Sequence, residues 1–297
     1  MSNILFSGTS NLPLAQKIAV KLNIKLGDLQ INRFIDNECR VWVKEKIFAS
    51  DDIFVLQSLS SVADQNLVEL CLIGQALKTL KADKVTAIIP WLGYSKQDKE
   101  FRKGEAVSAQ LVAKFIEAAG FDNIISLELH SENLLPFFKI PFQKISTHDL
   151  LAQQIQINKN MLVISPDKGG QGRSQNFAKK LNLPIAYVEK QRDLITGIVK
   201  VVSVSENVKG KEIIFFDDII NTGQTAIKES EYLKDKGVKK IIFLATHAVL
   251  AGDASPKLQN SPIDEIIVTD TIKIPKEKQF PKLKIISVVD LIANKII

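Results

Sequence analysis

Short runs rich in Ile, Val and Phe alternate with longer stretches whose apolar residues recur three and four apart. NILFSG (3–8), DIFVLQS (52–58), KVTAIIPWLG (84–93) and NIISLELH (123–130) read as strands. LPLAQKIAVKLN (12–23), DQNLVELCLIGQALKTLKAD (64–83) and AVSAQLVAKFIEAAGF (106–121) read as helices between them, the first with Pro13 near its start. From about Leu150 the scheme begins again. MLVISPD (161–167), IAYVEKQR (185–192), EIIFFDD (212–218) and KIIFLATHAVL (240–250) are strand-like, with GRSQNFAKKLN (172–182) and TAIKESEYLKDKG (225–237) as helices. Nearly continuous apolar strands separated by helices predict mainly parallel sheets covered on both faces. The fold class is therefore α/β, with two similar units of about 150 residues each. The expected domains are 1–146 and 147–297, closely joined, because no Pro-, Gly- or Ser-rich linker separates them. The last segment, KLKIISVVDLIANKII (282–297), is a strand and a short helix able to pack on either domain.

Ligands of open parallel sheets bind beyond the carboxyl ends of the strands, so the polar residues there carry the chemistry. In DDIINTGQT (217–225), two carboxylates, Asp217 and Asp218, precede a loop of Asn221, Thr222, Gly223, Gln224 and Thr225, and a helix follows. Carboxylates suit the vicinal hydroxyls of a ribose. A Gly-containing loop at a helix N-terminus suits a phosphate. A ribose 5-phosphate has both ends. The plainer reading of the same run is a turn with an Asx N-cap.

Composition narrows the classes. The chain has 297 residues, 45% hydrophobic and 24% charged, with a formal net charge of +6. The excess is lysine spread along the chain; the arginines are Arg33, Arg40, Arg102, Arg173 and Arg192. With no basic block and no reader motif, a lysine-rich solvated surface is favoured over nucleic-acid binding. No apolar stretch reaches the ~20 residues needed to span a bilayer. The N-terminus lacks a basic, then apolar, secretory pattern. Cys39 and Cys71 sit in no paired or metal-spaced cluster, which fits a reducing, cytoplasmic setting.

Beyond the run at 217–225, the chain carries FSGTSN (6–11), RFIDNE (33–38), YSKQDKE (94–100), LELH (127–130), FFKIP (137–141), SPDKGG (165–170), EKQR (189–192) and VTDTI (268–272). Together and in this order they resemble the ribose-phosphate pyrophosphokinase family, built on the type I phosphoribosyltransferase fold. The resemblance covers nearly the whole chain. It implies transfer of the β,γ-diphosphoryl group of ATP to the 1-hydroxyl of ribose 5-phosphate, with Mg²⁺ as cofactor. It implies adenine stacking at Phe34 and edge contacts from Asp36, Asn37 and Glu38, delivered from a neighbouring subunit. It implies ATP contacts at Lys96, Gln97, Asp98 and His130, metal ligation by His130 and Asp167, and ribose 5-phosphate contacts at Arg192, Asp217, Asp218 and Asn221 to Thr225. Lys190 and Arg192 become the catalytic pair; as fixed cations they can neutralise charge spreading over a transferring phosphoryl group. A homo-oligomer is implied, dimer-based and often hexameric in the family. No GxxxxGK[ST] run is present, so ATP is held without a P-loop. His130 is expected to end its strand, with Glu128 on the same face.

Several positions depart from the family pattern. Asn221 stands where many members have Asp, Gln224 where a small residue is usual, Lys96 in place of Arg and Glu128 in place of Asp. KIFAS (46–50) and Gly104 stand where many members carry arginines of an allosteric phosphate/ADP site, so weak phosphate activation is expected. These changes keep open a non-catalytic regulatory homologue that binds nucleotide or an active subunit. Retention of Lys190, Arg192, Asp217, Asp218, His130 and Asp167 favours an enzyme.

Overall fold

The computed structural model describes residues 2–165, 170–192 and 199–296; within the strands, the side chains of residues 190–192, 199, 200 and 202 lie outside that description. The chain forms two compact units. The first comprises Met1–Ser146, Thr271–Lys273 and Ser287–Ile297, and the second Thr147–Asp270 and Ile274–Ile286. A single division at residue 146 therefore needs correction at the C-terminus, where the chain returns twice to the first unit.

In the first unit, β1 (Asn3–Ser7), α1 (Leu12–Leu22), β2 (Leu29–Arg33), β3 (Cys39–Val43), β4 (Asp52–Leu56), α2 (Ala63–Thr79), β5 (Lys84–Ile89), α3 (Ser108–Ala118), β6 (Asn123–Leu127) and β7 (Phe142–Ile145) follow in order. Strands β1, β4, β5, β6 and β7 lie side by side in that order, all parallel. Strands β2 and β3 form a separate antiparallel ribbon. One face of the sheet buries Phe6, Ile53, Val55, Val85, Ala87 and Ile89 with Leu70, Ile73 and Leu77 of α2 and Val112 and Ile116 of α3. This is the continuous burial that the apolar runs predict. Strand β6 ends at Leu127, earlier than the sequence reading places it. Glu128 then turns the chain with φ of 32°, and its N–H donates to the Ile145 carbonyl at 3.1 Å. Glu128 and His130 therefore do not share a strand face.

In the second unit, α4 (His148–Ala152), β8 (Met161–Ser165), α5 (Gln171–Leu181), β9 (Ile185–Arg192), β10 (Val199–Val204), β11 (Glu212–Ile220), α6 (Gln224–Asp235), β12 (Lys240–Ala248), α7 (Ala254–Gln259), β13 (Glu265–Thr269) and β14 (Leu283–Ile286) follow. The sheet order is β10-β9-β8-β11-β12-β13-β14, parallel except for the β9–β10 pair at one edge. The two faces of β11 pack differently. Ile213 and Phe215 join the cluster that includes Ala226 and Leu233 of α6 and Leu258 of α7. Ile214 and Phe216 join Phe177, Ala178 and Leu181 of α5 and Leu151 of α4. Phe216 stacks on Phe177 with ring centroids 3.9 Å apart, and His148 meets the Phe216 ring edge-on at 4.8 Å. The final helix, α8 (Val289–Ala293), packs on α1 in the first unit, while β14 extends the second sheet.

The loop after β1 is held by a buried carboxylate on α2. Glu69 accepts from the Thr9 N–H at 2.6 Å, the Thr9 hydroxyl at 2.8 Å and Gln57 Nε2 at 2.7 Å. Gln57 in turn accepts from the Ser10 hydroxyl at 2.7 Å. Glu69→Ala removes the acceptor from the buried Gln57 amide and unties the Thr9 backbone and hydroxyl. It is expected to lower stability by about 2 kcal/mol or more, read by urea unfolding, and an unchanged midpoint would contradict this role.

Candidate functional site

The pleat of β11 decides where its two carboxylates go. Ile213 and Phe215 face the α6 side and Ile214 and Phe216 the α5 side, and the strand runs on through both aspartates to Ile220, which packs in the α6 cluster. Asp217 is half-buried and lines a cavity of about 140 Å³ with Ile219, Asn221, Thr222, Gly223, Gln224 and Thr225. Asp218 is buried, with 1% of its side chain exposed, and is not among the residues lining that cavity. The two acids are thus unequal, although they sit side by side in sequence.

Arg173, in the first turn of α5, joins them. Its Nη1 lies 2.7 Å from Asp217 Oδ1 and 2.5 Å from Asp218 Oδ1. Asp217 Oδ1 also accepts from the Asp218 N–H at 2.8 Å. Burial, reinforced by the neighbouring Asp218 carboxylate, pushes the Asp217 carboxyl well above the usual range, with Arg173 opposing the shift. Sequence reasoning did not single out Arg173. The parity of β11, together with an arginine at the start of the helix before it, is the signal that could have found it.

The loop beyond β11 turns tightly into α6. Gly223 is the N-cap with φ of 71°, and no side chain caps the helix. The expected alternative, an Asx N-cap, is not what forms. A Cβ at Gly223 would come within 2.8 Å of the Leu258 side chain, so both backbone and space require glycine there. Asn221, Thr222, Gln224 and Thr225 are exposed around the uncapped helix start. Uncapped first-turn N–H groups and the helix dipole make this end of the cavity favourable to an anion. One end of the cavity therefore offers a carboxylate and the other offers donors.

In the first unit, Phe34, Ile35, Asp36, Asn37 and Glu38 form the exposed tip of the β2–β3 ribbon. The Phe34 N–H donates to the Glu38 carbonyl at 3.0 Å, and Asn37 takes φ of 74°. Asp36 Oδ1 accepts from the Glu38 N–H at 3.2 Å, and Arg33 Nη1 donates to the Asn37 carbonyl at 2.9 Å. Phe34 is 51% exposed, and the Arg40 guanidinium sits 5.8 Å from its ring centre. Lys96 and Asp98 are half-buried and Gln97 is exposed in the segment after β5. Gln97 is anchored to the start of α3, accepting from the Ser108 hydroxyl at 2.6 Å while its carbonyl accepts from the Ala109 N–H at 3.2 Å. His130 is half-buried beyond β6.

Strand β9 carries Lys190 and Arg192 at alternate positions, in register with Val201 and Val199 of β10. Their side chains, and Asp167 entirely, lie outside the described residues. Among the described residues, no cluster of three His, Cys, Asp or Glu side chains is placed to hold a metal ion, and no helix is long and apolar enough to cross a membrane.

Residues 3–120 match the family model of the N-terminal domain of ribose phosphate pyrophosphokinase, and residues 195–297 match that of the phosphoribosyl synthetase-associated domain. A ribose-phosphate pyrophosphokinase of Caldanaerobacter subterraneus subsp. tengcongensis is 36% identical over 99% of this chain and 93% of its own length. That of Thermotoga maritima is 37% identical over 98% of this chain and 93% of its own. The crystal structure of phosphoribosylpyrophosphate synthetase from Mycobacterium smegmatis superposes with a TM-score of 0.93 at 34% identity, covering 100% of this chain and 98% of that one. With its two α/β units and end-to-end likeness to these enzymes, the chain belongs to the ribose-phosphate pyrophosphokinase family.

Proposed function

We propose that this chain transfers the β,γ-diphosphoryl group of ATP to the 1-hydroxyl of ribose 5-phosphate, releasing AMP and phosphoribosyl pyrophosphate. The observation that carries the reading is the cavity at the end of β11, with Asp217 at one side and the uncapped start of α6 at the other. The reaction forms a bond from the sugar O1 to the β-phosphorus and breaks the bond from that phosphorus to the oxygen bridging it to the α-phosphate; the 1-hydroxyl loses its proton. Asp217 and Asp218 accept hydrogen bonds from the ribose hydroxyls. Asn221, Thr222, Gly223, Gln224 and Thr225 hold the 5-phosphate. Lys190 and Arg192 stabilise the charge on the transferring group, and Arg192 also contacts the sugar phosphate.

Phe34 stacks on adenine, and Asp36, Asn37 and Glu38 reach its edge. Lys96, Gln97, Asp98 and His130 meet the ATP phosphates. The family is kinase-like and generally needs a divalent metal; Mg²⁺ is the ion read for this chain. Mg²⁺ is commonly held by one or two protein groups, substrate phosphates and water. His130 and Asp167 are the side chains that would hold it, and the ion would neutralise phosphate charge. The exposed ribbon tip, where Phe34 and Ile35 face solvent, favours a homo-oligomer in which a neighbour completes the adenine contacts. A dimer-based assembly extending to a hexamer, and a cytoplasmic setting, belong to the same reading. Regulation by phosphate or ADP is read as weak, because the turn at 46–50 presents Phe48 beneath Lys46 in place of an arginine. The regulatory-homologue alternative is not favoured, since likeness to the named enzymes runs along the whole chain.

Incubation with Mg²⁺, ATP and ribose 5-phosphate is expected to give AMP and phosphoribosyl pyrophosphate in equal amounts, and only when ribose 5-phosphate is present. Lys190→Ala should lower turnover more than about tenfold; a folded protein forming neither product would reject the reading.

The carboxylate pair also has a stability consequence. Asp217 holds its proton more tightly folded than unfolded, so its ionisation opposes folding at neutral pH. That penalty fades as pH falls through the raised folded value. Asp217→Asn is expected to keep or raise stability at pH 7, by on the order of 1 kcal/mol, while abolishing ribose 5-phosphate binding. A clear loss of stability at pH 7 in urea unfolding would contradict the sign.

A further inference from the structure

Arg173 occupies an unfavourable place for a cation. It lies in the first turn of α5, where the helix dipole presents its positive end. Its side chain is largely buried, 17% exposed, which adds a desolvation penalty. Both penalties are offset by two carboxylates on a different element, at 2.7 and 2.5 Å. One nitrogen, Nη1, makes both contacts. The two bonds from one nitrogen fix where Asp217 Oδ1 and Asp218 Oδ1 stand relative to each other.

We infer that Arg173 is a positioning residue for the sugar half of the reaction: by holding Asp217 Oδ1 and Asp218 Oδ1 on one nitrogen it fixes the carboxyl pair at the cavity wall, so that Asp217 meets the sugar hydroxyls in a set orientation. Without it, the Asp217 carboxyl would lose the cation that opposes its upward shift and the bond that fixes its Oδ1 beside Asp218. The α5–β11 packing supports the arrangement. Ser174, the next residue, donates from its hydroxyl to the Phe216 carbonyl at 3.2 Å, and Phe177 stacks on Phe216. The turn that carries Arg173 is thus fixed directly to the strand that carries the acids. The inference rests on the proposed ribose 5-phosphate site and adds a residue that the motif alone does not single out.

The test compares wild type, Arg173→Gln and Arg173→Lys, with ribose 5-phosphate and ATP varied separately. Lysine keeps the charge that the two carboxyls share on one nitrogen, so it should substitute in part. Arg173→Gln is expected to raise KM for ribose 5-phosphate about 30-fold or more, with KM for ATP changed less than about threefold. Arg173→Lys should recover at least about tenfold of that loss. An unchanged KM for ribose 5-phosphate in Arg173→Gln would overturn the inference. So would equal rises for both substrates, which a merely structural role would give. Should Arg173→Gln fail to fold by urea unfolding, calorimetric binding of each substrate to Arg173→Met, which keeps an unbranched stem and removes the charge, decides: weakening confined to ribose 5-phosphate supports the inference, and weakening of both alike, or of neither, overturns it. A folded wild type that forms no AMP with ribose 5-phosphate overturns the functional reading and this inference with it. Wild-type activity with an indifferent Arg173→Gln overturns the inference alone.

Discussion

Everything at the end of β11 follows from placing two ionisable carboxylates on consecutive residues of a buried strand. Consecutive strand residues face opposite sides of the sheet. At the end of β11 that alternation relaxes: Asp217 lines the cavity at the start of α6, Asp218 is buried beside it, and both reach one nitrogen of Arg173 on α5. Burial and the neighbouring Asp218 push the Asp217 carboxyl well above the usual range, and Arg173, reaching both acids from α5, opposes that shift. The phosphate end is set by a similar economy. Gly223 takes a left-handed φ in contact with Leu258, which leaves the start of α6 uncapped and open to an anion. A carboxylate and an anion-binding helix end, which would repel a single simple ligand, suit one that carries hydroxyls and a phosphate at opposite ends.

The first unit uses its strand ends differently. The loop after β1 is tied down by Glu69 and Gln57 rather than left open. Its exposed chemistry instead sits on the β2–β3 ribbon and the segment after β5. The ribbon tip holds itself by turn hydrogen bonds and leaves the Phe34 ring face largely to solvent and Arg40. Gln97 is fixed to the start of α3 by its own side chain and backbone. Two units of one architecture thus carry different chemistry, because the loops differ while the sheets do not.

Much of this was legible in the sequence, for physical reasons. Strands buried on both faces, such as β5 and β12, leave continuous apolar runs, and their helices leave a clear three- and four-residue spacing. The DDIINTGQT run, read as a carboxylate–phosphate site, forms one cavity wall with Asp217. Local pattern failed where backbone geometry overrode it. LELH reads as the end of a strand, yet Glu128 turns the chain with a left-handed φ and separates itself from His130. The C-terminal residues are apolar enough for either unit, and only the packing of α8 on α1 decides. Arg173 stayed hidden because its partners lie 44 and 45 residues away on another element, a distance no motif spans.

The central claim is that the paired carboxylates read the sugar diol while the α6 loop reads the phosphate. Calorimetric binding of ribose 5-phosphate and of 2-deoxyribose 5-phosphate tests it most directly, since the two differ by one hydroxyl and share the phosphate. Loss of that hydroxyl should leave a charged acceptor without its partner and weaken binding by about 30-fold or more. Equal affinity for the two sugars would contradict the account.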